Sequence, residues 1–228
     1  MMSTIANGPP PPALLQAALF DLSQTTSQVV LRRYTRGDLL YRQGEFATAL
    51  YYITKGRVRT FVITLEGREK TLLIASAGDV LNDVAFYLGC EQQTSAGALD
   101  RGVEAYQIGQ AGFERLLTAM PDMARFLLGS LAAKTSSLIS DITNQSFHDV
   151  RSRVQLALIH LAKQHGVITP QGVRIELRIT HETIASLVGA NRSHVSTCLS
   201  ALQHDGFYQV IDERIVLAPW VVGQRLPP

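Results

Sequence analysis

Cysteine is scarce: Cys90 and Cys198 are the only two among 228 residues. Two thiols in no C-x-x-C spacing cannot build a disulfide framework, so a reducing compartment is expected, with each cysteine serving as a small apolar residue. No lysine or arginine precedes Arg32, which excludes the basic leader of a secretory signal, and no apolar run approaches the roughly 20 residues that span a bilayer. A soluble, cytoplasmic chain with no membrane partner is the expectation. Charge of one sign is lacking too: 21 basic and 19 acidic residues leave +2, which permits nucleic-acid binding without demanding it. No P-loop, His-Glu-x-x-His or Ser-His-Asp arrangement is present, and no histidine precedes His148, so no metal site or catalytic group is assigned. What remains is an ordinary globular composition, 46% hydrophobic and 18% charged, of a length that suits two domains.

Residues 1–12 end in Pro9–Pro12 and are expected as a flexible lead-in. Leu14, Leu15, Ala18, Leu19 and Leu22 then fall at helical spacing. From Val29 to Gln107 the pattern changes to short β-branched and aromatic runs, VVLRRY, DLLY, ALYYI, RVRTFVIT, EKTLLI and VEAYQI. Gly56, Gly67, Gly78 and Gly89 recur at intervals of 11, so each strand is read as one short segment between turns, as in an antiparallel roll or sandwich. Turn glycines of any β domain could give the same spacing. After Gly112 the period is helical again, and Pro121-Asp122 predicts the start of a long helix reaching Gln145. Leu127, Leu131, Leu138 and Ile142 line one seam of it, which either buries against a partner helix or lies on its own domain. Dimerisation is favoured, because the roll offers no obvious second apolar sheet for so long a helix to cover.

Asp149 is a plausible N-cap for a further helix with core-spaced Val154, Leu158 and Leu161. Gly166 ends it, Pro170-Gln171-Gly172 turns the chain, and Val173, Ile175, Leu177 and Ile179 alternate as one strand with Arg174, Glu176 and Arg178 on its other face. The next segment, THETIASLVGANRSHVSTCLSALQHDG, is the most informative. Thr180 can cap a helix whose Ile184, Leu187 and Val188 face inward, and Gly189 supplies the left-handed turn that stops it. Asn191 can cap a second helix in which Val195, Leu199 and Leu202 are buried, so Arg192, Ser193, Ser196, Thr197 and Ser200 point outward. Ala185 is small enough to let the two helices cross closely. FYQVI and RIVL, joined by Asp212-Glu213, close the segment as a wing. Helix, turn, helix, wing is an order suited to reading DNA. Small hydroxyl residues around one arginine let a helix sit deep in a groove, where the guanidinium can make two hydrogen bonds to a guanine edge. The same segment could also be a plain helical hairpin with a β cap.

Three stretches carry a family resemblance: IT-x-x-x-IA-x-x-VG-x-x-R-x-x-V-x-x-x-L-x-x-L over 179–202, ALIHLAKQ over 157–164, and GDVLNDVAFYLG over 78–89. In these the chain resembles the cyclic-AMP receptor and fumarate-nitrate regulator (CRP/FNR) family of bacterial transcription factors. The resemblance implies an α+β fold with a cyclic-nucleotide-binding-like antiparallel β-roll over 13–111, a dimerisation helix over 112–146, and a winged helix-turn-helix DNA-binding domain over 147–228. It also implies a homodimer that places each recognition helix in a major groove of a pseudo-palindromic duplex site, with RNA polymerase as a further partner. Arg192 matches the family's groove-reading arginine. Ser193 and Thr197 stand where the cyclic-AMP receptor has a glutamate and a second arginine, so the target sequence should differ. Base reading is expected from Arg192, Ser193, Ser196 and Thr197, and phosphate contact from Asn191, His194 and His181, although His194 could equally be a solvated surface residue.

The resemblance also bears on a small-molecule effector. Cyclic-nucleotide-binding relatives use a Gly-Glu pair for the ribose and an arginine for the cyclic phosphate; here those places carry Asn82, Asp83, Gln93 and Thr94. A neutral amide cannot supply the charged, forked donors of an arginine–phosphate pair, and Leu138 and Ile139 replace hydroxyl residues that would meet a purine. Cyclic AMP is therefore not the expected effector. An iron–sulfur cluster needs about four thiolates, and the roll has no histidine for haem, so no cofactor is assigned. Phe86 and Tyr87, with Leu138 and Ile139, could line an apolar pocket for an unknown organic effector or fill the core. Cys90 could serve as a redox switch. The alternatives are a cyclic-nucleotide-responsive regulator with an atypical phosphate pocket, and a cupin-like β-roll enzyme, which the missing histidines disfavour.

Overall fold

The structure, a computed structural model, describes residues 13–120 and 122–223. The lead-in expected over 1–12 and the helix-starting role of Pro121 lie outside the described residues. Two compact units divide within one long helix, between Leu138 and Ile139.

In the first unit, helix α1 (Ala13–Thr25) precedes strands β1 (Val29–Tyr34), β2 (Leu39–Tyr41), β3 (Ala49–Lys55), β4 (Arg57–Ile63), β5 (Glu69–Ser76) and β6 (Val80–Leu81). Helix α2 (Asp83–Leu88), strands β7 (Ser95–Ala98) and β8 (Val103–Gly109), helix α3 (Gln110–Ala119) and, up to Leu138, the long helix α4 (Asp122–Phe147) follow. The strands form two antiparallel four-stranded sheets, ordered β1-β8-β3-β6 and β2-β7-β4-β5. Between them lies an interior rich in small residues: Ala49, Ala75, Ala96, Ala98 and Ala105 share it with Tyr41, Tyr51, Ile53 and Val58. Successive side chains of a strand face opposite ways, so β3 sends Leu50 and Tyr52 to the outer face, where they meet Leu15 and Leu19 of α1, Phe113 and Leu116 of α3, and Met123 and Leu127 of α4. Both faces of β3 are buried, which is why ALYYI reads as a continuous apolar run.

Two expectations change here. The first sheet does offer α4 an apolar face, and Leu127, 2% exposed, belongs to the roll's own core. Further along the same helix Leu138, Ile139 and Ile142 are 42%, 60% and 66% exposed. The stretch between Gly78 and Gly89 is a two-residue strand followed by a helix, not another strand. Asn82 takes a left-handed conformation (φ 66°) that turns β6 into α2, and Gly89 (φ 59°) is the C-cap of that helix. The other three of the four regularly spaced glycines, at 56, 67 and 78, do sit at positive φ between strands.

The second unit contains α5 (Val150–His165), β9 (Gly166–Thr169), β10 (Gly172–Ile175), α6 (His181–Val188), α7 (Arg192–His204), β11 (Tyr208–Ile211), β12 (Arg214–Leu217) and α8 (Pro219–Gly223). Asp149 caps α5, its side chain accepting from the Ser152 N–H. Val154, Leu158 and Leu161 of α5 are buried, as are Ile184 and Val188 of α6 and Val195, Leu199 and Leu202 of α7. These three helices pack on one another, and a sheet ordered β11-β12-β10-β9 flanks them. The single strand read over Val173–Ile179 is instead a β9–β10 hairpin that ends at Ile175, after which the Glu176 N–H bonds the His165 carbonyl. Its edge strand β9 escaped notice because Val167 and Ile168 are both exposed and show no alternation. Gly172 is required at the hairpin: at φ +134°, a Cβ there would meet the Leu217 carbonyl oxygen at 1.9 Å.

Candidate nucleic-acid interface and roll interior

Local chemistry positions α6 and α7. Thr180 is the N-cap of α6, its hydroxyl accepting from the Thr183 N–H at 3.1 Å. Gly189 at φ 63° ends α6 after about two turns, a conformation that a β-carbon resists. Ala185, 3% exposed, sends its carbonyl to the Ala190 N–H across the turn. Asn191 is the N-cap of α7 by its extended backbone, yet its side chain makes no capping bond. Val195, Cys198, Leu199 and Leu202 then anchor α7 from beneath.

The opposite face of α7 is polar and open. Asn191, Arg192, Ser193, His194, Thr197 and Ser200 are exposed. Arg192 Nε lies 3.8 Å from Glu182 Oε2, with both side chains 72% exposed, a pairing too solvated to hold the guanidinium firmly. Ser196 is only half exposed, and its Oγ is 2.9 Å from His181 Nδ1. The structure thus joins a residue read as a base contact to one read as a phosphate contact. Glu182 was missed because its nearness to Arg192 arises across the turn and leaves no mark in either helix's periodicity. The wing forms by the β11–β12 hairpin, where Asp212 and Glu213 both adopt positive φ (50° and 58°), the pair of left-handed residues of a type I′ turn. Arg178 pairs with Glu213 at the wing tip, and Arg214 donates to the Glu176 carbonyl at 2.8 Å.

The residues expected around an effector separate into three environments. Asn82 and Asp83 are buried at 8% and 4%; Asn82 Nδ2 donates to the Ala49 carbonyl at 2.8 Å. Asp83 Oδ2 is 2.6 Å from Lys134 Nζ of α4, which also donates to the Val80 carbonyl at 2.6 Å. Lys134 was not singled out in the sequence, since it lies 51 residues from its partner. Thr94 faces Tyr41, with Thr94 Oγ1 and Tyr41 Oη 3.5 Å apart, and the Tyr41 ring lies 5.5 Å from that of Tyr51. Burial pushes the Tyr41 phenol up to about 12 against a lowering by Thr94, so it stays neutral. Gln93 is exposed. Phe86 packs edge-on to Phe113 at 5.6 Å in the helix-side core, away from Tyr41, while Leu138 and Ile139 stand exposed on α4. Among the described residues no group of three or more histidine, cysteine, aspartate or glutamate side chains could hold a metal ion, and no helix is long and apolar enough to cross a membrane.

Comparison with known proteins agrees with this layout. Residues 31–119 match the family model of the cyclic nucleotide-binding domain, and residues 152–219 that of the Crp-like helix-turn-helix domain. The chain is 28% identical over 188 residues to the cAMP-activated global transcriptional regulator CRP of Salmonella typhimurium, covering 82% of this chain and 89% of that one. It is 29% identical over 175 residues to the cyclic AMP receptor protein of Thermus thermophilus, covering 77% of each. Among solved structures, the c-di-GMP responsive global regulator CLP of Xanthomonas campestris shares the fold with a TM-score of 0.74 at 23% identity, over 89% of this chain and 99% of that one.

Proposed function

The chain belongs to the CRP/FNR family of DNA-binding transcription regulators, and from that premise we propose that it acts as a cytoplasmic homodimer on a pseudo-palindromic operator, under control of an effector other than cyclic AMP. Its relatives are regulators and not enzymes, and a cupin-like activity has no place in that reading. The observation that carries the proposal is the exposed polar face of α7, held rigid by Val195, Leu199 and Leu202. In it Arg192, Ser193, Ser196 and Thr197 read base edges, and Asn191, His194 and His181 meet phosphates. The winged domain is taken to begin at residue 147. Exposed Ile139 and Ile142 on α4 support a helix-to-helix dimer, since an apolar seam of this kind is costly to leave in water. RNA polymerase is the further partner that membership of the family implies.

Three features support an effector other than cyclic AMP. Tyr41 and Tyr51 fill part of the small-residue interior, Lys134 already engages Asp83, and Gln93 offers no charge to a phosphate. A cyclic-nucleotide response through an atypical pocket has in its favour that the curated relatives are cAMP-activated. One experiment tests both parts: duplex binding by fluorescence anisotropy across a salt series, with and without cyclic AMP. Affinity should fall steeply with salt, and Arg192→Ala should lose roughly 1–3 kcal/mol of discrimination at one base pair. Cyclic AMP should change nothing. Indifference to every duplex at low salt defeats the operator reading, and a cyclic-AMP-dependent gain defeats the effector reading.

A further inference from the structure

The hydroxyl groups on α7 are not equivalent, and their hydrogen bonds decide what each can offer a ligand. Thr197 Oγ1 donates to the Ser193 carbonyl at 3.2 Å and Ser200 Oγ to the Ser196 carbonyl at 3.0 Å. A hydroxyl whose proton points back along its helix presents only oxygen lone pairs outward, so both residues face solvent as acceptors. Ser196 is half-buried and its Oγ lies 2.9 Å from His181 Nδ1, so its hydroxyl is already engaged before a base approaches. Ser200 sits a turn nearer the C-terminus, whereas helix-turn-helix recognition helices meet base edges with their N-terminal residues. Exposed Thr197 therefore combines an outward acceptor with a methyl group in the N-terminal half of α7.

The four base pairs respond differently to that combination. A guanine edge offers N7 and O6, both acceptors, which repel a lone pair. Cytosine offers an amino donor but no methyl. An adenine·thymine pair offers the adenine N6 amino group as donor and the thymine C5 methyl as an apolar contact on one major-groove edge. We propose that Thr197 is a specificity-determining residue that selects an adenine·thymine pair in the same half-site as the guanine read by Arg192. Its oxygen accepts from the adenine amino group and its methyl packs on that of thymine. The assignment rests on α7 being a groove-reading helix.

The test is selection of bound duplexes from a random pool by the full-length protein and three variants. Wild type should enrich a half-site containing a guanine, lost with Arg192→Ala, and an adenine·thymine pair that persists in that variant. Thr197→Val keeps shape and methyl but removes the acceptor, and should weaken preference for that pair about fivefold, the worth of one net hydrogen bond. Thr197→Ser keeps the acceptor and loses the methyl, so cytosine should begin to compete with adenine there. Because Thr197 is exposed, thermal unfolding of both variants should match wild type. The proposal is overturned if Thr197→Val leaves the adenine·thymine preference intact, or if the position that responds to residue 197 favours guanine. Should wild type enrich nothing, or Arg192→Ala select the same motif as wild type, the groove-reading assignment fails and this one with it. That pattern is distinct from a loss confined to Thr197.

Discussion

The roll interior and the outer face of α7 are both studded with polar side chains, yet they dispose of them in opposite ways. In the roll, Asn82 turns its amide onto the Ala49 carbonyl, Asp83 is closed by Lys134, and Thr94 lies against Tyr41. On α7, Asn191 makes no capping bond, Arg192 has only a distant carboxylate, and Thr197 spends its proton on its own helix while its oxygen faces out. A ligand entering the roll must replace hydrogen bonds that already exist, at the cost of every group it leaves unpaired. A duplex meeting α7 displaces little but water. The difference separates a closed, internally paired interior from an open polar surface, and substitutions in the two regions should therefore fail in different ways.

The largest expected effect is in the roll. Lys134→Met leaves the Asp83 carboxylate, 6% exposed at its side chain, without its cation, and should destabilise the protein by about 3–5 kcal/mol in urea unfolding followed by circular dichroism. Combining it with Asp83→Leu removes the orphaned charge and should recover much of that loss, because an apolar pair of similar volume is often as stable as a buried ion pair. Equal destabilisation by the single and double substitutions would mean that packing of the lysine stem, not the charge, ties α4 to the roll.

That contrast also marks what could be read from the chain alone. The helix pair was legible because its determinants are local: Thr180 three residues before the N–H it caps, Gly189 at the turn, and Val195, Leu199 and Leu202 at helical spacing. The wing was legible for the same reason, two β-branched runs around Asp212-Glu213. The roll's strands showed through short β-branched and aromatic runs cut by glycines, and the matching domain model agrees with the fold they imply. Lys134 with Asp83 and Tyr41 with Thr94 were invisible, since 51 and 53 residues separate the partners and no period links them. For Phe86 two alternatives stood open, a pocket wall or core filling, because a six-residue helix spans too little to reveal which of two cores its aromatic ring joins; it packs in the helix-side core.

A smaller effect separates two residues that look alike as helix caps. Thr180→Ala removes a bond to the Thr183 N–H and should cost about 1 kcal/mol in the unit that contains Trp220, whose fluorescence reports its unfolding. Asn191→Ala removes no capping bond and should leave that transition within about 0.5 kcal/mol of wild type, while weakening duplex binding. If the two substitutions destabilise equally, the free amide of Asn191 is not reserved for an outside partner.

The smallest effect concerns acid, at the start of α5. The Asp149 carboxylate accepts from the Ser152 N–H at 2.8 Å, and chiefly that backbone bond holds it below the usual aspartate range, with the Ser152 side chain, Arg151 and His148 adding to the shift. A carboxylate depressed in the folded state adds stability that is fully present above its unfolded pKa and is lost as pH falls through the folded one. Amide exchange over the first turn of α5 should therefore be faster in Asp149→Ala than in wild type at neutral pH. The gap should narrow as pH drops below the ordinary aspartate range, where the wild-type carboxyl takes up its proton and caps less well. Asp149→Asn, which keeps an acceptor oxygen but cannot titrate, should show slow exchange with no such narrowing. A gap between wild type and Asp149→Ala that stays constant across the acid range would assign the effect to helix propensity rather than to the charged cap.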